Sequence, residues 1–315
     1  MHVVFGAGGR TGGEVARALL ARGEAVRVVV RREAQGEVWA SRGAEVAVGD
    51  LESSASISAA LEGADSAFFL NPPPVAGDPF QSTAKVAAAL VVALRTATLS
   101  KAVALSSIGA QFESGTGVIA TLNRFEQALD GSSAPSIAFL RSAYFIETWE
   151  EVIVPVRQDL LPTFIRPDQK IAMASTIDVG DAAAELLCSD WSGRRIIELS
   201  GLADWSAADI ADAFSAQLGR TVTPQFVPAS ARAAALAEAG VPAEVADSLI
   251  GMYEGIANGL FVRDNRNIQW RGKTTIETAV SRMVDRHSES DRGREAPRPL
   301  EESHRTSAHD IASPG

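Results

Sequence analysis

"VVFGAGGRTGGEVARALL", Val3 to Leu20, passes from an apolar run through a glycine cluster into a helix-periodic segment. Val3 to Phe5 has the composition of a buried strand, and Val15, Leu19 and Leu20 fall on one face of the helix that follows. Between them Gly6, Gly9 and Gly12 spell G-x-x-G-x-x-G. In a strand–turn–helix unit each glycine has a task. Gly6 allows the tight turn, Gly9 lets a pyrophosphate approach the backbone, and Gly12 lets the helix pack closely on the strand. The free N–H groups at the helix start attract the phosphates. A glycine-rich turn with no ligand can carry the same letters, but a second strand follows at the expected place, and that context favours dinucleotide binding.

Working outward, β-rich runs alternate with helical patterns: "HVVFGAG", "AVRVVVR", "AEVAVGD", "SAFFLNP", "KAVALSS" and "SIAFLRS" are the strands. Continuous apolar strands separated by helices imply an α/β fold, with a Rossmann-like doubly wound parallel sheet covered on both faces. After Trp149 the pattern loosens. "KIAMAST" and "RIIELSG" read as strands, Asp178 to Leu187 and Ser206 to Leu218 as helices, and "TVTPQFVPAS" as an extended piece. The expected organisation is a dinucleotide-binding domain over residues 1–148 and a smaller C-terminal substrate lobe over 149–286, some of whose strands return to the main sheet. From His287 to Gly315 the chain is polar, charged and proline-containing, and reads as a disordered tail.

Composition sets the outer bounds. The chain has 315 residues, 46% of them hydrophobic, enough for a sizeable core. No apolar stretch reaches the roughly 18 to 20 residues of a bilayer span, and the N-terminus lacks the pattern of a signal peptide, so a cytoplasmic protein is expected. A formal charge of −10 with scattered arginines disfavours nucleic acid, leaving a small molecule as the better partner. The single cysteine, Cys188, sits in "AAAELLCSD" and reads as a buried, inert thiol. Histidine occurs only at His2, His287, His304 and His309, which leaves the expected folded body with none beyond its first strand. Histidine base catalysis and histidine-rich zinc sites are thereby disfavoured. Tyrosine occurs only at Tyr144 and Tyr253, and no Tyr-x-x-x-Lys pair exists.

The second strand ends in Arg31 and Arg32, where an NAD-preferring protein usually places an acidic residue. Arginine there suits the 2′-phosphate of NADP(H), or else it is only a solvated strand end. Asp50, closing the third strand beside Leu51, is either an adenine contact or a cap for the next helix.

These features together resemble the NmrA-like branch of the atypical short-chain dehydrogenases/reductases, which includes NAD(P)H:quinone reductases and redox-sensing regulators. The resemblance rests on "GAGGRTG", "VVRR", "GDL" at 49–51, "FFLNPPP", "ALSSIGA", "NRFEQALDGS" and "FLRSAYFIETW", and continues through "GKTTIE" over residues 1 to 285. It implies that Gly6, Gly9, Arg10, Thr11 and Gly12 form the pyrophosphate loop and that Arg31 meets the 2′-phosphate. Asn71 and Pro72 would then lie beside the ribose, with Ser106, Tyr144 and Phe145 near the nicotinamide. Ser106 can equally end a strand, and Tyr144 and Phe145 can equally fill core. Relatives that reduce benzylic ethers and isoflavones carry a lysine in the region where this chain has Asn123 and Arg124. The usual proton donor for alcohol–ketone chemistry is therefore missing, whereas an activated quinone needs less help.

The expectation is an NADPH-dependent oxidoreductase acting on a quinone or similar electrophilic carbonyl compound, with Tyr144, Ser106 and Asn123 as the catalytic candidates. The alternative is a non-catalytic NADP(H)-binding redox sensor acting through a protein partner, and a homodimer is also compatible with the sequence. An epimerase or dehydratase is disfavoured by the absent tyrosine–lysine pair.

Overall fold

The computed structural model describes residues 1–132 and 136–295. Strands and helices alternate at first: β1 (His2–Phe5), α1 (Arg10–Ala21), β2 (Val26–Val30), α2 (Glu37–Ala40), β3 (Glu45–Val48), α3 (Ser54–Ala60), β4 (Ser66–Phe69), α4 (Pro79–Leu94), β5 (Lys101–Ser107), α5 (Ala120–Asp130) and β6 (Ser136–Ser142). There follow β7 (Tyr144–Phe145), α6 (Ile153–Val156), β8 (Leu160–Thr163), β9 (Ile171–Ala174), α7 (Thr176–Cys188) and β10 (Gly193–Ser200). The last elements are β11 (Asp204–Trp205), α8 (Ala207–Leu218), β12 (Thr223–Phe226), α9 (Ala229–Glu238), α10 (Ala243–Ala257), β13 (Ile268–Arg271) and α11 (Ile276–Glu295).

Eight strands form one sheet in the order β13-β10-β6-β5-β4-β1-β2-β3, parallel throughout. From β3 to β6 this is the doubly wound order, whose ligand crevice opens at the carboxyl ends of the strands. Side chains alternate across the sheet. Val4, Val28, Phe68, Val103 and Leu140 face α1 and α7. Val3, Phe5, Phe69, Ala104 and Phe139 face α3, α4 and α5. Both faces are dry, so replacing Phe68 or Phe139 with alanine is expected to cost about 3–5 kcal/mol.

The second half interleaves with the first. Strands β10 and β13 extend the main sheet, while β11-β9-β7 and β12-β8 form small sheets beyond it. The last turn of "GKTTIE" folds around Asp178 in α7, whose carboxylate accepts from the N–H of Lys273 at 2.8 Å and the hydroxyl of Thr274 at 2.9 Å. A Cβ at Gly272 would lie 2.2 Å from that carboxylate, so the bend requires glycine. Helix α8 starts after Ser206 because Ser206 and Asp209 form a capping box.

Two expectations are corrected. Helix α11 continues through His287 to Glu295, so the polar tail does not begin at His287. Val280 and Met283 anchor the helix in a third core cluster, and Arg286 pairs with buried Glu150 at 3.0 Å, with His287 3.4 Å from the same carboxylate. Residues 296–315 of that expected tail lie outside the described residues. Cys188 is exposed rather than buried, because it ends α7 on the helix's solvent side. Among the described residues no helix is long and apolar enough to cross a membrane.

Candidate functional site

The glycine loop joins β1 to α1 at the carboxyl edge of the sheet. Gly6 has φ +72°, a left-handed conformation that disfavours any side chain. A Cβ at Gly12 would stand 2.4 Å from the Gly6 carbonyl oxygen, so glycine is what allows helix and turn to touch. Gly9 caps α1 without a side chain, and its N–H donates to the Gly6 carbonyl at 2.9 Å. The N–H groups of Arg10, Thr11 and Gly12 have no acceptor among the described residues, and no acidic side chain occupies the first turn. A Cβ at Gly9 would meet only the Gly6 carbonyl oxygen, at 3.3 Å, so its outer side is open. Open amides, a positive dipole end and an unobstructed glycine fit a diphosphate.

Arg31, directly after β2, is exposed and makes no side-chain hydrogen bond or ion pair with the described residues. Arg32 is also exposed, and its backbone N–H donates to Gln35 Oε1 at 3.2 Å. Gln35 Nε2 in turn lies 3.1 Å from the Cβ position of Gly8, so the turn after β2 rests on the glycine loop. Asp50 does not cap α3. Ser53 does, accepting from the Ser56 N–H at 3.3 Å, while the exposed Asp50 accepts from the Glu52 N–H at 2.9 Å. Leu51 packs against the α3 side of the core. Asn71, which follows β4 and precedes Pro72, donates to Thr83 Oγ1 at 2.9 Å and is thereby tied to the first turn of α4. Arg10 turns away from its own loop. It donates to the Glu147 carbonyl at 3.0 Å and pairs with Glu150 at 3.1 Å, so its contribution to the loop is the backbone N–H.

On the same edge, just past the ends of β5 and β6, Ile108, Ala143, Tyr144, Ile171, Ala172, Ile256 and Phe261 line a narrow apolar cleft. Tyr144 is held there by pairing of β7 with β9, and its hydroxyl lies 3.2 Å from that of Tyr253 on α10. Burial, reinforced by the neighbouring Tyr253, pushes the Tyr144 phenol well above its usual range, and burial also raises Tyr253. Both phenols are protonated at neutral pH. Phe145 points the other way and packs on the α1 side of the sheet core.

Ser106 and Asn123 are not in this cleft. Val103 faces α1 and Ala104 faces α5, so alternation sends Ser106 to the α5 side. There its hydroxyl donates to buried Glu126 at 2.5 Å, and Glu126 is held by Arg141 at 2.8 and 2.6 Å. Asn123 donates to the Ala110 carbonyl at 2.8 Å and accepts from Gln127 at 2.9 Å. Asn123, Glu126 and Arg141 border a polar cavity of about 460 Å³, separate from the apolar cleft.

Tyr253 is the site residue that sequence reading missed. It sits on α10, a segment assigned no element from sequence, and packs there with Leu249, Met252 and Ile256. The available signal was glycine: a Cβ at Gly117 would lie 2.2 Å from the Met252 nitrogen, and one at Gly255 would lie 2.7 Å from the Gly115 carbonyl. These contacts seat α10 on the loop after β5 and so place Tyr253.

The chain is 26% identical over 255 residues to the NAD(P)H azoreductase of Xenophilus azovorans, covering 80% of this chain and 86% of that protein. It is 24% identical over 290 residues to quinone oxidoreductase 2 of Escherichia coli strain K12, covering 90% and 99%. Among solved structures, that oxidoreductase complexed with NADPH superposes with a TM-score of 0.74 at 23% identity, covering 90% of this chain and 100% of that one. The Citrobacter triphenylmethane reductase complexed with NADP(H) also gives 0.74, at 21% identity and the same coverage. The sequence model of the NmrA-like family matches residues 2–284, and the chain belongs to that family.

Proposed function

We propose that this protein is an NADPH-dependent oxidoreductase that reduces a quinone or similar electrophilic carbonyl compound. The observation that carries the reading is the alignment, on one sheet edge, of the three open amides of α1, the unpartnered Arg31 and the apolar cleft at Tyr144. The names of the relatives, an azoreductase, a quinone oxidoreductase and a dye reductase, support it.

Bound NADPH supplies hydride. The backbone of Gly6, Gly9, Arg10, Thr11 and Gly12 holds the diphosphate, and Arg31, with Arg32 beside it, meets the 2′-phosphate. Asp50 and Leu51 border the adenine, Asn71 and Pro72 the ribose, and Phe145 and Tyr144 the nicotinamide end. The apolar cleft has only about 10 Å³ of free space, so a flat acceptor would enter by parting its apolar walls, which would then exclude water and orient it. Tyr144 and Tyr253, both protonated, can donate a hydrogen bond to an acceptor oxygen. No lysine or histidine lines the cleft, so a strong proton donor for an unactivated ketone is absent, and an acceptor whose reduced oxygens take protons from water is the better match.

The test is NADPH oxidation over a panel of quinones, enones and aldehydes, beside calorimetric NADPH binding. Turnover concentrated on quinones is the expected result. Binding without turnover on any member overturns the catalytic reading, and no binding overturns the cofactor.

A further inference from the structure

We infer that His2, Glu24 and Cys188 form a binding site for Zn²⁺ at the amino-terminal end of the sheet, away from the glycine loop. One ligand atom from each residue lies within 4.8 Å of the others, although the three are brought from β1, the turn after α1 and the end of α7. His2 Nε2 and Glu24 Oε2 are already 3.2 Å apart. Zinc bonds of about 2.0–2.3 Å place ligand atoms roughly 3.5 Å from one another, so closure needs only about 1 Å of movement. Glu24 and Cys188 are exposed enough to make it.

A second observation shows how the imidazole is aimed. His2 Nδ1 lies 2.7 Å from the hydroxyl of Ser66, which is buried in β4. In the metal-free protein the Glu24 carboxylate accepts from Nε2–H and Nδ1 accepts from the Ser66 hydroxyl; once the ring proton shifts to Nδ1 and is donated to Ser66, the Nε2 lone pair faces Glu24 and Cys188. A metal-binding histidine is commonly fixed by such a hydrogen bond from its other nitrogen.

The donor set selects the ion. One thiolate and one imidazole favour zinc over magnesium or calcium, and the thiolate and carboxylate together neutralise a divalent charge. A cysteine binds zinc as the thiolate. Binding therefore breaks the S–H bond, forms a metal–sulfur bond and releases one proton to solvent. The Arg22 guanidinium bonds Glu185 at 3.2 Å and the Asp181 carbonyl at 3.3 Å but also touches the Cys188 thiol, so it has to swing fully onto α7 when the ion binds. The fourth position opens to water, since Cys188 is exposed.

The chain contains one cysteine, so any thiolate-to-metal absorption reports this site alone. The full chain, kept reduced, is titrated with Co²⁺ and then with Zn²⁺. We expect a saturable thiolate-to-cobalt band at one metal per monomer, displaced by Zn²⁺ and abolished in Cys188→Ala. His2→Gln and Glu24→Gln should each weaken binding by about tenfold or more. Circular dichroism of each variant checks that the fold is retained. Absence of the band overturns the site. So does a band insensitive to His2→Gln and Glu24→Gln, or one that forms only when two chains share a metal.

Discussion

The hydroxyls of Tyr144 and Tyr253 lie 3.2 Å apart beside the apolar cleft that Tyr144 lines, although their positions differ by 109 in the chain. One comes from the short strand after β6 and the other from α10, so the contact ties together distant parts of the chain. Tyr144→Phe keeps the ring and its packing while removing one hydrogen bond, worth about 1 kcal/mol, and is expected to lower kcat/KM for a quinone about fivefold. NADPH affinity should stay within twofold of wild type by calorimetry, allowing about 0.4 kcal/mol for indirect effects. Tyr253→Phe should act in the same direction. Because burial raises both phenols, neither should introduce a basic limb into the pH–rate profile up to the normal tyrosine range near pH 10. Unchanged kcat/KM in both variants would return the pair to a packing role.

Two glycines three residues apart are expected to fail differently. At Gly9 the backbone is extended, with φ −102°, and a Cβ meets only one carbonyl oxygen at 3.3 Å, so Gly9→Val should fold. Its side chain would stand over the open amides and abolish NADPH binding. At Gly12 a Cβ would be 2.4 Å from the Gly6 oxygen, inside the contact between helix and turn. Gly12→Ala should therefore lower the melting temperature, by several degrees for a loss on the order of 1–3 kcal/mol. Thermal melts and calorimetry on both variants separate the two roles. Normal NADPH binding by Gly9→Val would remove the diphosphate from this loop.

The glycine loop was legible because it is local: strand, turn and helix are contiguous, and the spacing of Gly6, Gly9 and Gly12 carries the geometry. The return of β10 to the sheet was suggested by "RIIELSG", but "IQWR" in β13 has no apolar run and is a strand only because β10 offers it an edge. The face on which Ser106 lies was not legible in sequence, since a strand's period assigns faces only once its register is known. Its neighbours then decide that Ser106 bonds Glu126, while Ser107 bonds the Ile108 carbonyl. The helical start of the expected tail was hidden because α11 is polar from Asp285 onward, where its hold on the body is Arg286 and His287 reaching Glu150. Polar composition alone cannot separate such a helix from a solvated tail.

Glu14 gives a stability test with a definite sign. It is buried where α1 meets α7 and α11, and bonds Arg17 at 2.8 Å and Arg282 at 2.9 Å. Burial alone would raise its pKa, but the arginines, Arg17 foremost, hold it below the ordinary carboxylate value of 4.5. A lowered folded pKa stabilises the fold above the unfolded value, and that contribution is lost as pH falls through the folded one. Glu14→Gln should therefore destabilise the protein at pH 7 by on the order of 1–2 kcal/mol, discounted because both arginines are more than a third exposed. The difference between variant and wild type in denaturant melts should hold from pH 7 down to about 5 and shrink below about pH 4.5. A gap that stays constant, or widens, in acid would contradict the ion-pair account.

On the proposed reading, Arg31 is expected to decide which nicotinamide cofactor the loop prefers. The side chain stands at the end of β2, exposed and unpartnered among the described residues, while Arg32 beside it has its backbone N–H fixed by Gln35. No carboxylate in this turn is placed to accept from ribose hydroxyls as an NAD-preferring site requires; Glu33 begins the next turn and is exposed. A charge-assisted hydrogen bond to phosphate contributes about 1.5–3 kcal/mol, so Arg31→Ala should weaken NADPH binding about ten- to a hundredfold. NADH lacks the 2′-phosphate and should bind nearly as before. If Arg32 shares the contact, the double variant should lose more than Arg31→Ala alone, and the coupling is read from a double-mutant cycle. Dissociation constants for both cofactors in wild type, each single variant and the double variant check this. Equal wild-type affinity for NADPH and NADH would remove the phosphate from Arg31, and with it the reason for an arginine at this strand end.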